Sequence, residues 1–216
     1  MSLTADDCAS PAEQQGKTGR GARPGRCCAG LLKTCRTNCS LYMKHTYYIR
    51  QSRLFRWYRN RAYGFGKYFV GRNVLEVGPN KGVLFEKFYP LAWKYTLLEP
   101  NRHFERHYLK LQQRHSNLHY EIDSFEAYDV GAPFDTVVMM AVIAHIRMVP
   151  ESLYGKIESL LVEGGFLIIE TNNTRRNLRL LELCDERMER IEAKTSYNGL
   201  MKWLQIDYRE VFVYRR

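Results

Sequence analysis

The sequence predicts an α/β protein built on a doubly wound, mostly parallel sheet. Three observations carry this expectation. Short apolar runs rich in β-branched residues alternate with amphipathic stretches from residue 73 onward. The first such run ends in a glycine-bearing turn. Apolar residues make up 45% of the 216-residue chain, which suits a globular protein with one full core and an appendage. The longest apolar stretch, Thr136–Ile146, falls well short of the ~20 residues that a membrane-spanning helix needs.

The elements follow in order. Asn73–Gly78 reads as a short buried strand ended by glycine, and Lys81–Tyr89 as a short helix. Tyr95–Glu99 is a second strand, stopped by Pro100, and Arg102–Arg114 a charged helix. Leu118–Ile122 and Phe134–Met140 are the third and fourth strands. Pro150 stands where a helix starts, and Leu153, Ile157, Leu160 and Leu161 give Glu151–Val162 its apolar face. Gly164 and Gly165 end that helix before a fifth strand, Phe166–Glu170. Arg176–Ile191 is amphipathic through Leu180, Leu181, Cys184, Met188 and Ile191, and Trp203–Tyr214 offers one or two closing strands. Alternation of this kind places helices on both faces of a parallel sheet. Right-handed crossovers then open a ligand crevice at the carboxyl ends of the strands.

The residues at that crevice narrow the ligand. The first turn reads Glu76-Val77-Gly78-Pro79-Asn80-Lys81-Gly82. A nicotinamide-dinucleotide fingerprint, G-x-G-x-x-G, needs glycine at positions 80 and 83, where the chain has Asn80 and Val83. The nucleotide-triphosphate loop G-x4-G-K-[ST] is absent from the chain. An acid, Glu99, ends the second strand 17 residues after Gly82. A second acid, Asp123, follows the third strand, and His145 follows the fourth. Glycines reappear in Leu160-Leu-Val-Glu-Gly-Gly-Phe-Leu-Ile-Ile-Glu-Thr171.

In this order and spacing, these five segments resemble the class I S-adenosylmethionine-dependent methyltransferases. The resemblance covers roughly residues 70–216. It departs from the family pattern at Asn80, where the motif has glycine, and at Ala144, where many small-molecule O-methyltransferases have glutamate before the histidine. It implies a Rossmann-like, doubly wound, seven-stranded sheet of class I methyltransferase type, with the last strand antiparallel and S-adenosylmethionine as cofactor. By the same resemblance Glu99 binds the two ribose hydroxyls. Asp123 accepts from the adenine amino group, with Ser124 or Phe125 beside the ring. Glu76 sits near the ammonium of the methionine end. Gly78, Pro79, Asn80 and Gly82 form the turn, and the backbone at Ala141 lines the methionine end. Methyl transfer is an in-line displacement governed mainly by positioning. His145 is the candidate general base, its other reading being a loop histidine that packs or caps. Ala144 removes the acid of a Glu-His pair, and no metal site is expected.

The charge tells a separate story. The chain holds 33 Lys and Arg against 23 Asp and Glu, a net of +10. Residues 1–72 hold 14 basic and 3 acidic side chains, and residues 73–216 hold 19 and 20. Residues 1–42 read as a disordered tail and contain five of the six cysteines. Only Cys35 and Cys39 approach a zinc-ligand spacing, so reduced thiols in a cytoplasmic protein are expected. Residues 43–70 read as a basic aromatic helix ahead of a methyltransferase domain at 71–216. Within 45–63, Arg50, Arg53, Arg56 and Arg59 form a stripe. Such a helix either packs its aromatics on the domain with its arginines solvated, or contacts phosphates of RNA or an anionic membrane. The strand-four loop lacks the Asn/Asp-Pro-Pro-aromatic motif of many base N-methylating enzymes. The expected reaction is methyl transfer to an O or N nucleophile of a small molecule or lipid. The rival is a non-catalytic module of the same fold that binds RNA or anionic membrane through its basic helix.

Overall fold

The computed structural model describes residues 64–129, 131–171, 174–195 and 210–216. The chain divides into two units, residues 1–51 and 52–216, and every described residue falls in the second. The readings made for residues 1–42 and for the arginine stripe at 45–63 lie outside the described residues.

The central strands are buried on both faces. In β1 (Asn73–Val77), Val74, Leu75, Glu76 and Val77 are all buried, the pattern of a strand covered by helices on two sides. The chain continues through α1 (Val83–Phe88), β2 (Lys94–Leu98), α2 (Glu105–Gln112), β3 (Leu118–Glu121) and β4 (Phe134–Met140). It ends with α3 (Pro150–Leu160), β5 (Leu161–Thr171), α4 (Arg175–Arg187), β6 (Glu189–Thr195) and β7 (Glu210–Arg215). The seven strands form one sheet in the order β3-β2-β1-β4-β5-β7-β6. β1 to β5 run parallel, and β7 is antiparallel to both β5 and β6. The order reverses between β1 and β4, which locates the crevice.

Alternation along each strand sorts its side chains between two cores. Leu75, Val77, Val137, Met139, Leu167 and Ile169 face α3 and α4 and pack with Leu153, Ile157, Leu180 and Cys184. Val74, Val138 and Ile168 face the other way, among Phe85, Phe88, Tyr108 and Leu111 of α1 and α2. Phe65 and Phe69 complete that second core from a 3-10 turn at Phe65–Tyr68. The turn is pinned to β4 by the Thr136 hydroxyl, which donates to the Tyr68 carbonyl at 2.7 Å. It is also tied to β6, where the Tyr68 hydroxyl donates to Glu192 at 2.8 Å.

Three helix readings change. The helix read as Glu151–Val162 stops at Leu160, and Gly164 and Gly165, expected to end it, lie inside β5. Arg102–Arg114 divides into a 3-10 turn at Arg102–Phe104 and the shorter α2, with the Asn101 side chain accepting from the His103 N–H at the turn. The helix read as Arg176–Ile191 stops at Arg187, and Ile191 belongs to β6. Met188 leaves the helix in an extended conformation (φ −130°, ψ 155°). The Arg190 side chain reaches back to Asp185 across the break. β6 lacks apolar alternation, so its strand character comes from pairing with β7 rather than from its own sequence.

Leu75 is fully buried on the central strand, whereas Ile191 is partly exposed on the edge strand. Leu75→Ala is therefore expected to lower the unfolding free energy by about 2–5 kcal/mol. Ile191→Ala is expected to change it by less than about 1 kcal/mol. Chemical denaturation of the two variants measures this contrast.

Candidate cofactor site

Register builds the site. Val77 pairs with Leu98 on one side and Met139 on the other, and Leu98 pairs with Glu121. The next residue of each strand is therefore Gly78, Glu99, Ile122 and Met140, in one row at the carboxyl ends. Asp123 and Ala141 lie one residue further. Every candidate cofactor contact thus falls on one rim of the sheet.

The first turn leaves that rim through left-handed backbone. Gly78, Asn80 and Gly82 have φ of 66°, 57° and 69°. Gly78 is required twice over: besides its positive φ, a Cβ there would lie 2.6 Å from a methyl of Val142. Asparagine is among the few other residues that enter the left-handed region readily. Asn80 thereby enters the left-handed region at the position where the resembled motif has glycine. Pro79 is buried, and its carbonyl accepts from the Gly82 N–H at 3.0 Å, closing the turn at the start of α1. The Tyr108 hydroxyl donates to the Asn80 carbonyl from α2.

Glu99 braces this turn from the neighbouring strand. One carboxylate oxygen accepts from the Asn80 N–H and the other from the Asn101 N–H, both at 3.1 Å. These bonds fix the side chain and hold it over the strand ends. Glu76 lies deeper and accepts from the Tyr95 hydroxyl at 2.9 Å. Burial pushes its carboxyl up to about 7, against the opposing effect of the Tyr95 hydrogen bond, and the charge of nearby Glu99 adds to the rise. Tyr95 is held neutral by burial and by Glu76, which keeps its hydroxyl a donor.

A group carrying a positive charge and hydrogen-bond donors fits this cradle. The side-chain oxygen of Asn80 is buried and has no hydrogen-bond partner. This oxygen is an acceptor beside the carboxylates of Glu76 and Glu99, and donors such as an ammonium or hydroxyls would complement such a set. Asp123 and Ser124 stand beyond β3, with Asp123 exposed and accepting from the Ser124 N–H at 2.7 Å. The Ser124 hydroxyl accepts from the Ala127 N–H at 3.2 Å, and Phe125 beside them is buried.

The far end of the rim is built by β4 and β5. Ala141 has a left-handed φ of 59°, held by its N–H donating to the Glu170 carbonyl at 3.0 Å. A 3-10 turn at Ile143–His145 follows and leaves His145 exposed. A recess of about 70 Å³ lies here, lined by Ala141, Ile143, Ala144, His145, Glu170, Thr171 and Asn177. Arg176 of α4 fixes the loop by donating to the carbonyls of Ile143, Ile146 and Met148. Asp135 stands apart and binds the Asn73 N–H at 2.7 Å, so it is a structural acid. Among the described residues, no cluster of three or more His, Cys, Asp and Glu is placed to hold a metal ion.

Sequence reasoning missed Glu170, Asn177, Arg176, Tyr95 and Tyr108. Glu170 carried a signal, as an acid at the end of an apolar strand (Phe166–Glu170) whose carboxyl end faces the crevice. The tyrosines and Arg176 carried none, because their partners are 19 to 33 positions away.

Known proteins share this fold. The chain aligns in fold with the 1,6-didemethyltoxoflavin-N1-methyltransferase of Burkholderia thailandensis (TM-score 0.62, 14% identity, 91% of this chain and 93% of that one). It aligns likewise with the N-methyltransferase NodS of Bradyrhizobium japonicum WM9 in complex with S-adenosylhomocysteine (TM-score 0.59, 15% identity, 70% and 81%). Coclaurine N-methyltransferase gives TM-score 0.56 at 9% identity, over 76% of this chain and 72% of that one. No curated protein matches the chain in sequence. The family described as methyltransferase domain matches residues 47–208, three quarters of the chain. The chain therefore belongs to the methyltransferase-domain family, as an S-adenosylmethionine-dependent enzyme of class I fold.

Proposed function

We propose that the chain methylates an oxygen or nitrogen nucleophile of a small molecule held at the recess beside His145. The recess carries this reading. It lies at the carboxyl ends of β4 and β5, and its lining includes both His145 and Glu170. The structural neighbours support it, since two of them were determined with 1,6-didemethyltoxoflavin and N-methylheliamine bound.

The bound cofactor supplies an electrophilic methyl on a sulfonium. The chain's own residues orient it and the acceptor. Glu99 receives the ribose hydroxyls while its two backbone bonds keep it from turning away. Asp123 and Ser124 meet the adenine. Glu76 and Asn80 meet the ammonium, Gly78, Pro79 and Gly82 shape the turn, and the Ala141 backbone closes the methionine end. His145 accepts the acceptor's proton as the nucleophile attacks.

The direct test incubates the protein with S-adenosylmethionine and a panel of small amines and alcohols, and measures S-adenosylhomocysteine release and methylated product by mass spectrometry. Turnover on a member of the panel is expected. Absence of any thermal shift with saturating S-adenosylmethionine or S-adenosylhomocysteine would count against the whole reading, because a ligand specific for the folded state must stabilise it. Glu99→Ala should weaken S-adenosylhomocysteine binding at least about tenfold by calorimetry. His145→Ala should lower kcat by about 100-fold or more while leaving that affinity unchanged.

Glu76 sets the pH dependence. Its carboxyl titrates near 7 in the folded chain against 4.5 as its ordinary value. The folded state thus favours the protonated form, and the associated stability is full below 4.5 and is lost as the pH rises to about 7. Glu76→Gln should abolish this decline, so cofactor-free wild type loses stability relative to the variant across that window. An ammonium ligand prefers the ionised carboxylate. Affinity for S-adenosylhomocysteine should accordingly rise with pH through about 7 in wild type and stay flat in Glu76→Gln.

A further inference from the structure

The end of the sheet opposite the cofactor crevice carries an exposed apolar patch. Val70, Leu91 and Trp93 are 61%, 39% and 63% exposed. They come from two segments locked together by backbone. The Gly71 N–H donates to the Leu91 carbonyl at 2.8 Å, and the Trp93 N–H to the Arg72 carbonyl at 3.1 Å. The three side chains are therefore held as a group at the amino-terminal ends of β1 and β2. The remaining exposed large apolar residues among those described, such as Leu109, Val149 and Leu178, lie in separate elements. Single exposed apolar residues are ordinary, but an exposed apolar cluster rimmed by polar side chains marks a contact surface.

The rim is basic. Lys67, Lys87 and Lys94 flank the patch in the 3-10 turn, the end of α1 and the start of β2. From Gly64 to Leu98 the only acids are Glu76, which is buried, and Glu86. Glu192 approaches from β6 and pairs with both Lys67 and Lys194, so that trio retains a positive charge. The sequence just ahead, residues 52–63, contains Arg53, Arg56, Arg59 and Arg61 and no acid.

We propose that this face docks the enzyme on an anionic phospholipid surface, with Trp93, Leu91 and Val70 inserting at headgroup depth and the lysines meeting lipid phosphates. Tryptophan suits that depth because its ring is apolar and its N–H finds a partner in the headgroup layer. Basic side chains close to an anionic leaflet each add to the attraction, and apolar insertion adds a contribution that salt does not screen. A nucleic acid would use the lysines but gain little from exposed Leu91 and Val70. β1 spans five residues, ~16 Å of extended chain, between this patch and Gly78. Docking there leaves the crevice open to solvent, as a small-molecule acceptor requires.

The test is sedimentation of the full chain with vesicles of phosphatidylcholine containing about 30 mol% phosphatidylserine, against pure phosphatidylcholine. Wild type should bind the anionic vesicles more tightly. Leu91→Ser/Trp93→Ser should weaken that binding at least about tenfold with unchanged circular dichroism and melting temperature. Lys87→Glu/Lys94→Glu should weaken it as well. Brominated lipid should quench tryptophan fluorescence in wild type, and most of that quenching should vanish in Trp93→Phe. Three results overturn the proposal: no vesicle binding by wild type, equal affinity for both vesicle types, or undiminished binding by Leu91→Ser/Trp93→Ser. The third would assign the attraction to the arginine-rich sequence alone.

Discussion

The register that sets Val77 beside Leu98 and Met139 is the constraint on which the site depends. Parallel strands carry no chemistry by themselves. Their value is that a fixed pairing brings residues 78, 99, 123 and 141, far apart in the chain, to one rim. A one-residue slip of β2 against β1 would turn Glu99 to the opposite face of the sheet and exchange its neighbours. The hydrophobic alternation that sorts Leu75 and Val77 from Val74 resists such a slip, so core packing and site geometry are the same requirement seen from two sides.

The face that holds Val74 also holds Glu76, and the fold accommodates this buried acid in a specific way. Tyr95 gives it a hydrogen bond, and Glu99 raises its proton affinity from nearby. Burial and the neighbouring charge of Glu99 delay the ionisation of Glu76 to about 7. A positively charged group beside the two acids would favour the ionised form of Glu76. Tyr108 serves the same turn from α2, so the second core and the cofactor cradle share their aromatic side chains.

The sheet was legible in the sequence because its strands are short, β-branched and bounded by glycine or proline. Asn73–Gly78, Tyr95–Glu99 and Phe134–Met140 lie within a residue of the observed strands at either end. β6 was not legible, because Glu189–Thr195 is polar on an edge and becomes a strand through β7. The carboxyl-end residues were legible as a pattern of acids and glycines at set distances. The conformation of Asn80 was not, although its tolerance of left-handed backbone explains why the motif survives there. Tyr95, Tyr108 and Arg176 stayed hidden because each acts across the fold on a backbone or side-chain atom that only tertiary packing brings near.

The 2.6 Å between a Cβ built on Gly78 and a Val142 methyl makes the cofactor turn and the loop beside the recess one physical object. The volume open to a side chain at 142 is bounded by the absence of one at 78. Gly78 is fixed by its own backbone, so a branched side chain at 142 can occupy that space only because 78 carries none. A change in the loop at 142 is therefore felt directly by the backbone of the first turn.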